Sequence, residues 1–293
     1  MNRYAIIEAP SILGLKPTGV DRLPSVLLQH GLADQLNARR AGRVVPSAAY
    51  DSKRDPQTLM LNAPGIAEYS VRLADTVAEV IGRGEFPILL GGDCSIVLGS
   101  TLALRRRGRY GLLFIDGHAD FYQPEALTSG EAASMDLAFA TGRGPAVLTN
   151  LEGLRPLVRD EDVVAFGFRD AQEQREYGSQ PLPREMLALE LNEVRRLGAK
   201  AAAQRAIDHL TAKPTQGFFI HLDADVVSDA LMPAVDYRMA DGLSWDELCT
   251  VLQTALASGR AVGIEITIYN PSLDADGASG RELTRTLIKA LQG

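Results

Sequence analysis

The chain has 293 residues, of which 46% are hydrophobic and 23% charged, an ordinary composition for a globular protein. Its formal net charge of −7 argues against nucleic acid or an anionic membrane as a partner. Two cysteines are too few for a disulfide framework, and no apolar run approaches the length of a membrane span. No signal peptide is recognisable at the N-terminus. These features predict a soluble cytoplasmic protein, and we expect residues 1–293 to form one domain.

Strand and helix patterns alternate along the chain. Short apolar runs predict strands at residues 3–8, 43–45, 86–90, 112–115, 163–168, 218–222 and 262–268. Helical spacing of apolar residues predicts helices at residues 20–29, 63–83, 95–107, 135–140, 183–197, 201–210, 244–257 and 281–291. The alternation predicts an α/β fold in which a mostly parallel sheet is covered by helices on both faces.

The stretch from residue 111 to residue 120 carries the first chemical signal. Its apolar run ends in Asp116, His118 and Asp120, at the point where a buried strand is expected to end. Alternate residues of an extended chain point the same way, so these three side chains could converge. A divalent metal would offset the repulsion between the two carboxylates. The alternative interpretation is a solvated turn in which Asp120 caps a helix.

Two other predicted strands also end in possible metal ligands. Cys94 follows the strand at 86–90, and Asp223 and Asp225 follow the strand at 218–222. Parallel strands deliver their carboxyl ends to one side of a sheet. The combined set exceeds what one tetrahedral ion needs and predicts a two-metal site that activates water for hydrolysis. Taken singly, the two aspartates could instead form a turn, and Cys94 could be a small buried hydrophobe.

Three ordered motifs resemble the metal-binding motifs of the arginase (ureohydrolase) family. They are Gly-Gly-Asp-Cys-Ser at 91–95, Ile-Asp-Gly-His-Ala-Asp at 115–120 and His-Leu-Asp-Ala-Asp at 221–225. Shorter similarities at 9–15, 129–130, 241–244 and 270–271 extend the resemblance over most of the chain. The family implies a three-layer α/β/α domain with a parallel sheet of about eight strands. It also implies a binuclear manganese centre, hydrolysis of guanidino or amidine groups, and trimers or hexamers.

The resemblance also implies how the metal ligands are shared. Asp116 and Asp223 match the bridging carboxylates of the family. The remaining implied ligands are Cys94 and Asp120 for the first ion, and His118 and Asp225 for the second. Asp120 is further expected to accept a proton from the attacking water and to deliver it to the leaving amine.

Cys94 departs from the family, because most members have histidine at this position. A thiolate is a softer ligand that suits zinc, iron or cobalt better than manganese. Cysteine at this position also resembles the branch of the family that hydrolyses N-omega-hydroxy-arginine. We therefore expect two divalent ions, with Mn²⁺ implied by the family and Zn, Fe or Co left open by Cys94.

Two further departures concern the reacting group of the substrate. Ala133 stands where arginases place a histidine that is proposed to shuttle protons. Ile268 stands where the family places the carboxylate that holds the guanidinium group. Glu265 lies three residues earlier on the same predicted strand, so it would point to the opposite face and is a poor direct substitute.

Departures at the other end of the substrate site concern amino-acid recognition. Tyr122 and Glu131 replace two asparagines that recognise the amino-acid end of the substrate in arginases, whereas Ser129 is retained. A free α-carboxylate beside Glu131 would be repelled. The sequence therefore disfavours L-arginine and favours a substrate with an amine or a neutral group at that end.

The combined expectation is a hydrolase that uses metal-bound hydroxide to cleave a C–N bond of a guanidino or amidine compound. One alternative is hydrolysis of a non-guanidine C–N bond, such as an amide or formimidoyl bond, which the loss of a carboxylate at Ile268 favours. A second alternative is a metal-binding but catalytically weak family member. A third alternative uses Cys94 as a nucleophile with His118 as its base, and the surrounding carboxylates argue against that thiolate.

Overall fold

The computed structural model describes residues 3–293, and within them eight strands form one sheet. The strands are β1 (Tyr4–Ala9), β2 (Arg39–Arg43), β3 (Phe86–Gly91), β4 (Gly111–Ile115), β5 (Val163–Phe166), β6 (Leu187–Leu189), β7 (Phe218–Asp223) and β8 (Ala261–Thr267). Their order in the sheet is β2-β1-β3-β8-β7-β4-β5-β6, and each pair of neighbours among them is parallel. The predicted α/β fold with a parallel sheet is confirmed.

Helices cover both faces of this sheet. They are α1 (Leu23–Gln29), α2 (Leu32–Gln35), α3 (Ala63–Gly82), α4 (Val97–Arg105), α5 (Asp136–Ala140), α6 (Ala146–Thr149), α7 (Ala171–Tyr177), α8 (Leu191–Leu197), α9 (Ala199–Thr211), α10 (Trp245–Ala257) and α11 (Ala278–Gln292). One apolar core packs α1, α8, α9, α10 and α11 on one face, and the other packs α3, α4, α5 and α6 on the opposite face. Within residues 3–293, no helix has both the length and the apolar character needed to cross a membrane.

The structure corrects two local predictions and adds three helices. The second strand is Arg39–Arg43 rather than 43–45, because its pairing with β1 at the sheet edge tolerates exposed polar residues. Residues 183–197 do not form one helix, since Leu187–Leu189 pairs with β5 as a strand. A strand of three residues is too short to show its own periodicity. Helices α2 and α6 were not predicted, because each has only four residues and shows no helical spacing. Helix α7 was not predicted either, because it buries no residue and has no apolar face.

The loop after β3 packs closely against the loop after β1. Asp93 N donates a hydrogen bond to Ser11 O at 3.0 Å, and Ile268 N donates to Gly92 O at 2.9 Å. A Cβ on Gly92 would lie 1.8 Å from Ser11 O. Only glycine allows this contact, which positions Cys94 at the carboxyl end of β3.

We predict that Gly92→Ala lowers the free energy of unfolding by at least about 2 kcal/mol, because two backbone segments must separate to admit the methyl group. Chemical denaturation of the variant measures this loss. Gly82→Ala is the matched control, because a Cβ at that helical position meets no atom within 4 Å. An equal loss in both variants would contradict the proposed close packing.

Candidate metal centre

The structure brings the predicted ligands from three strand ends together. Cys94 begins a 3₁₀ turn directly after β3, Asp116 follows β4, and Asp223 is the last residue of β7. One ligand atom from each of these three residues lies within 4.8 Å of the other two. A second set with the same spacing consists of Asp116, His118 and Asp225. Asp116 is the residue that the two sets share.

Short backbone hydrogen bonds orient these carboxylates. His118 N donates to Asp116 Oδ1 at 2.7 Å, and Asp225 N donates to Asp223 Oδ1 at 2.7 Å. Gly117 N donates to Asp225 Oδ1 at 3.0 Å. The His118 ring adds a contact of 2.9 Å between its Nδ1 atom and Asp225 Oδ2. The loops after β4 and β7 are therefore held to each other by the candidate ligands themselves.

Cys94 is buried and its thiol lies between two polar groups. Its Sγ atom donates to Asp223 Oδ2 at 2.9 Å and lies 3.0 Å from Thr267 Oγ1. Burial and the Asp223 charge raise the pKa of Cys94 well above its usual range. This environment opposes a thiolate unless a cation accompanies it, and it argues against Cys94 as a free nucleophile. His118, the base proposed for that role, is engaged with Asp225 instead.

Asp120 lies at the edge of the ligand cluster. It belongs to neither three-residue set but lines the adjoining cavity beside His118, and only 5% of it is exposed. Its φ of 45° is in the left-handed region, which is uncommon outside glycine and typical of constrained functional positions. Burial and the nearby Asp116 charge raise the pKa of Asp120 well above its usual range.

The buried carboxylates need a compensating positive charge. Burial raises the pKa of both Asp116 and Asp223, and the neighbouring Asp225 adds to the effect. Asp225 behaves differently: burial also raises its pKa, but the charge and hydrogen bond of His118 together with the Arg169 charge outweigh burial and lower the pKa of this carboxyl. Asp116 Oδ2 is buried without a hydrogen-bond partner. This cluster of buried carboxylate oxygens, one of which has no hydrogen-bond partner, is suited to binding divalent cations. Such cations would offset the repulsion between the carboxylates, which burial makes stronger.

Two residues of the buried cluster were missed by the sequence prediction. His221 and Asp136 form a third set with Cys94, in which one atom from each residue lies within 4.8 Å of the others. His221 is a lone polar residue inside an apolar strand, and that signal could have drawn attention to it. Asp136, at the start of α5, carries no local signal. Glu265 contacts His221 Nδ1 at 2.7 Å and does not line the cavity, as its position on the strand suggested.

A cavity of about 310 Å³ opens onto the ligand cluster. The residues that the sequence linked to the substrate line it together with the candidate ligands: His118, Asp120, Tyr122, Ser129, Glu131, Ala133, Asp223, Asp225 and Ile268. The cavity therefore joins the candidate metal centre to every position at which the sequence departs from the family in substrate recognition.

Glu131 is paired within this cavity, which the sequence could not show. Tyr237 Oη donates to Glu131 Oε2 at 2.5 Å, and Lys16 Nζ lies 3.3 Å from Glu131 Oε1. Burial, with the Glu131 bond, raises the pKa of Tyr237 to about 12, so the phenol stays a donor. Lys16 offsets part of the Glu131 charge. Repulsion of a substrate carboxylate by Glu131 is therefore weaker than the sequence alone implied.

A parallel α/β sheet with carboxylate-rich ligand sets at its strand ends is typical of metal-dependent hydrolases. The model of the Arginase family matches residues 4–292. The arginase of Bacillus caldovelox is 29% identical over 301 residues, covering 100% of this chain and 97% of the relative. The solved native structure of that arginase has a TM-score of 0.88 at 26% identity, covering 100% of this chain and 99% of that chain. The chain belongs to the arginase family.

More distant structures share only the fold. The formimidoylglutamase of Bacillus subtilis aligns with a TM-score of 0.75 at 18% identity, covering 100% of this chain and 87% of that chain. Family membership together with the ligand sets supports a metal-dependent hydrolase of the ureohydrolase type.

We predict that Asp223→Asn has opposite effects on stability with and without metal. In chelator-treated protein it removes one buried negative charge and raises the free energy of unfolding by roughly 1–3 kcal/mol. In metal-loaded protein it removes a ligand and lowers the melting temperature, because a cation stabilises only the folded state to which it binds. Thermal unfolding in both states, with metal analysis, measures the two effects.

The control for this prediction is Asp162→Asn, which removes the charge of a buried carboxylate that pairs with the partly exposed Arg109, away from the ligand cluster. It should lower stability equally in both states. Equal destabilisation by Asp223→Asn in both states would show that Asp223 is not part of a cation-binding charge cluster.

Proposed function

We propose that this protein hydrolyses a C–N bond of a guanidino or amidine compound at a pair of divalent cations. The observation that carries the proposal is the shared position of Asp116, which belongs to two ligand sets beside one cavity. The residues that would hold the cations are Cys94, Asp116, His118, Asp120, Asp223 and Asp225. When bound, such a pair lowers the pKa of a water molecule and polarises the carbon that is attacked.

Asp120 is the group that we assign to proton transfer. It lines the cavity between the candidate ligands and the substrate positions, and its carboxyl is nearly buried. Asp120 is assigned to take a proton from the attacking water and to return it to the leaving amine, because its carboxylate lies on the cavity wall between the two. The requirement is hydrogen-bond reach to both groups, which a position on the cavity wall supplies.

The residues of the cavity wall favour a substrate whose reacting group is not a simple guanidinium. Ile268 presents an apolar side chain to the cavity where the family resemblance would place a carboxylate. Ala133 likewise offers no group that could carry a proton. These two positions favour the second candidate function, hydrolysis of a non-guanidine C–N bond such as an amide or formimidoyl bond. In either case the ligand cluster and Asp120 act in the same way.

The contacts of Glu131 with Lys16 and Tyr237 affect which chemical group the substrate can carry at its distal end, the end away from the reacting C–N bond. We propose that Tyr122, Ser129 and Glu131 contact this end. A substrate amine could replace Lys16 as the partner of Glu131, whereas a carboxylate would have to approach a partly neutralised glutamate. An amine or a neutral group is the better fit, and L-arginine is disfavoured, although the relatives that the chain matches include arginases.

The identity of the ions and the setting of the protein stay predictions. Mn²⁺ follows from the family resemblance, and Cys94 favours Zn, Fe or Co at its own position. A homo-oligomer, either a trimer or a hexamer, is also expected from that resemblance, and a cytoplasmic location is expected from the low cysteine content.

We predict that the metal-loaded protein releases urea or ammonia from at least one member of a panel of guanidines, amidines and small amides. Asp120→Asn should lower kcat about 100-fold or more, because the proton acceptor is lost. Asp208→Asn, at an exposed position of α9, is the control. Metal analysis of each variant separates loss of the acceptor from loss of a ligand.

Each outcome of the panel is informative. Turnover of amides but not of guanidines would favour the second candidate function. If no compound of the panel is hydrolysed while both cations are bound, the result would contradict the proposed hydrolysis and favour a catalytically weak family member.

We predict that Ile268→Glu increases kcat/KM for guanidines by about 10-fold or more, because it provides a charged partner for the guanidinium in the cavity. Ile268→Gln is the matched control, as it has the same length without the charge. Ile268 has a φ of 69°, which is unfavourable for a β-branched residue, so neither substitution adds backbone strain. An equal effect of both variants would contradict the assigned position of the guanidinium.

A further inference from the structure

The third ligand set, which consists of Cys94, Asp136 and His221, lies in the interior of the protein. All three residues are almost completely buried, and one atom from each lies within 4.8 Å of the others. His221 Nε2 and Asp136 Oδ2 are buried without a hydrogen-bond partner. Unpartnered buried polar atoms are costly, so this cluster calls for a ligand that satisfies both.

The His221 ring is held in the orientation of a metal ligand. Its Nδ1 atom lies 2.7 Å from Glu265 Oε1, and Glu265 Oε2 also accepts a hydrogen bond from the Ser100 hydroxyl. Because the carboxylate accepts, Nδ1 carries the proton, and the neutral ring then has its lone pair on Nε2. The Phe114 ring stacks on the imidazole at 4.4 Å with an interplanar angle of 7°. A carboxylate behind a fixed imidazole is the usual support of a metal-binding histidine.

Asp136 presents one oxygen to the same volume. Its Oδ1 atom accepts a hydrogen bond from Leu137 N at 2.8 Å, whereas Oδ2 has no partner. Among residues 3–293, no lysine or arginine forms an ion pair with Asp136 within 4.0 Å, and its charged neighbours are Asp116, Asp120 and Glu265. A cation at this position would give Asp136 Oδ2 the partner that it lacks.

We propose that the cation on the Cys94 side of the centre is bound by Cys94 Sγ, His221 Nε2 and the Asp136 carboxylate. Asp116 Oδ2, which is also unpartnered and lies 4.0 Å from His221 Nε2, offers a fourth donor. Asp223 Oδ2 accepts a hydrogen bond from the Cys94 thiol, and loss of that proton on metal binding leaves this oxygen free to bind the cation as well. This inference rests on the metal centre of the proposed function and assigns it two further ligands.

The donor set determines which ion it selects. A thiolate, an imidazole and carboxylates form a four-coordinate set of the kind that binds Zn²⁺ or Co²⁺, whereas Mn²⁺ prefers oxygen donors. The set of Asp116, His118 and Asp225 contains only nitrogen and oxygen donors and suits the harder ion. The centre would therefore hold two different metals. Binding at Cys94 releases the thiol proton to solvent as the thiolate forms.

Titration of the chelator-treated full-length protein with Co²⁺ tests this assignment. Wild-type protein should develop a near-ultraviolet thiolate-to-cobalt absorption band, and Cys94→Ser should abolish it. His221→Gln and Asp136→Asn should each weaken Co²⁺ binding at this band at least about 10-fold. Zn²⁺ should displace Co²⁺ from wild-type protein, and Mn²⁺ should not.

Matched controls are available in the same chain. Cys249 is a second buried free cysteine, and His209 is a second histidine whose Nε2 atom lacks a partner. Cys249→Ser and His209→Gln should leave both the band and the affinity unchanged. Circular dichroism of each metal-free variant checks its folding, and Asp136→Asn, which preserves side-chain shape, decides the question if His221→Gln does not fold.

The result that overturns the inference differs from the result that overturns the proposed function. An unchanged band and affinity in Asp136→Asn would exclude the new ligands, even if Asp225→Asn still removed a second equivalent of metal. Wild-type protein that binds neither Co²⁺ nor Mn²⁺ would contradict the metal centre as a whole. Weakened Co²⁺ binding at this band in Asp136→Asn, with one Mn²⁺ retained per chain, is the outcome that we expect.

Discussion

Repulsion between buried carboxylates at one edge of the sheet is the constraint on which the site depends. Asp116, Asp120 and Asp223 are each nearly buried, and none has a lysine or arginine ion-pair partner within residues 3–293. Backbone amides aim their oxygens, but amides carry no net charge. Such an arrangement is stable when cations occupy it. The parallel sheet makes it possible, because the carboxyl ends of β3, β7 and β4 lie along one edge.

The backbone around this edge is itself constrained. Gly92 contacts the loop after β1 so closely that no side chain fits there, while Asp120 and Ile268 adopt left-handed conformations. Ile268 is anchored by a hydrogen bond from its amide to Gly92 O. Strained positions of this kind persist where the surrounding structure holds them, and they gather at functional sites. The cavity wall is therefore held in place by the same loops that carry the ligands.

The site combines a conventional half with an altered half. The ligand sets that share Asp116 agree with a family whose members use paired cations, and the altered residues lie in the cavity beside them. Glu131 shows that the effect of such a change depends on the neighbours that the residue has in the folded protein. Alone it is an anion that repels carboxylates, but beside Lys16 and Tyr237 it is a partly neutralised acceptor that a substrate could recruit. The electrostatic effect of Glu131 on a substrate therefore depends on Lys16 and Tyr237 as well as on Glu131 itself.

The sequence by itself determined the sheet and the ligands at its strand ends. A buried strand is a local apolar run, and polar residues such as Asp116 and Asp223 at its end are visible without any long-range information. The edge strand β6 was not visible, because three residues show no period and only pairing with β5 defines them. Only packing between segments far apart in the chain brings Asp136, His221 and Lys16 to the site. Their place in it was therefore decided by the tertiary structure alone.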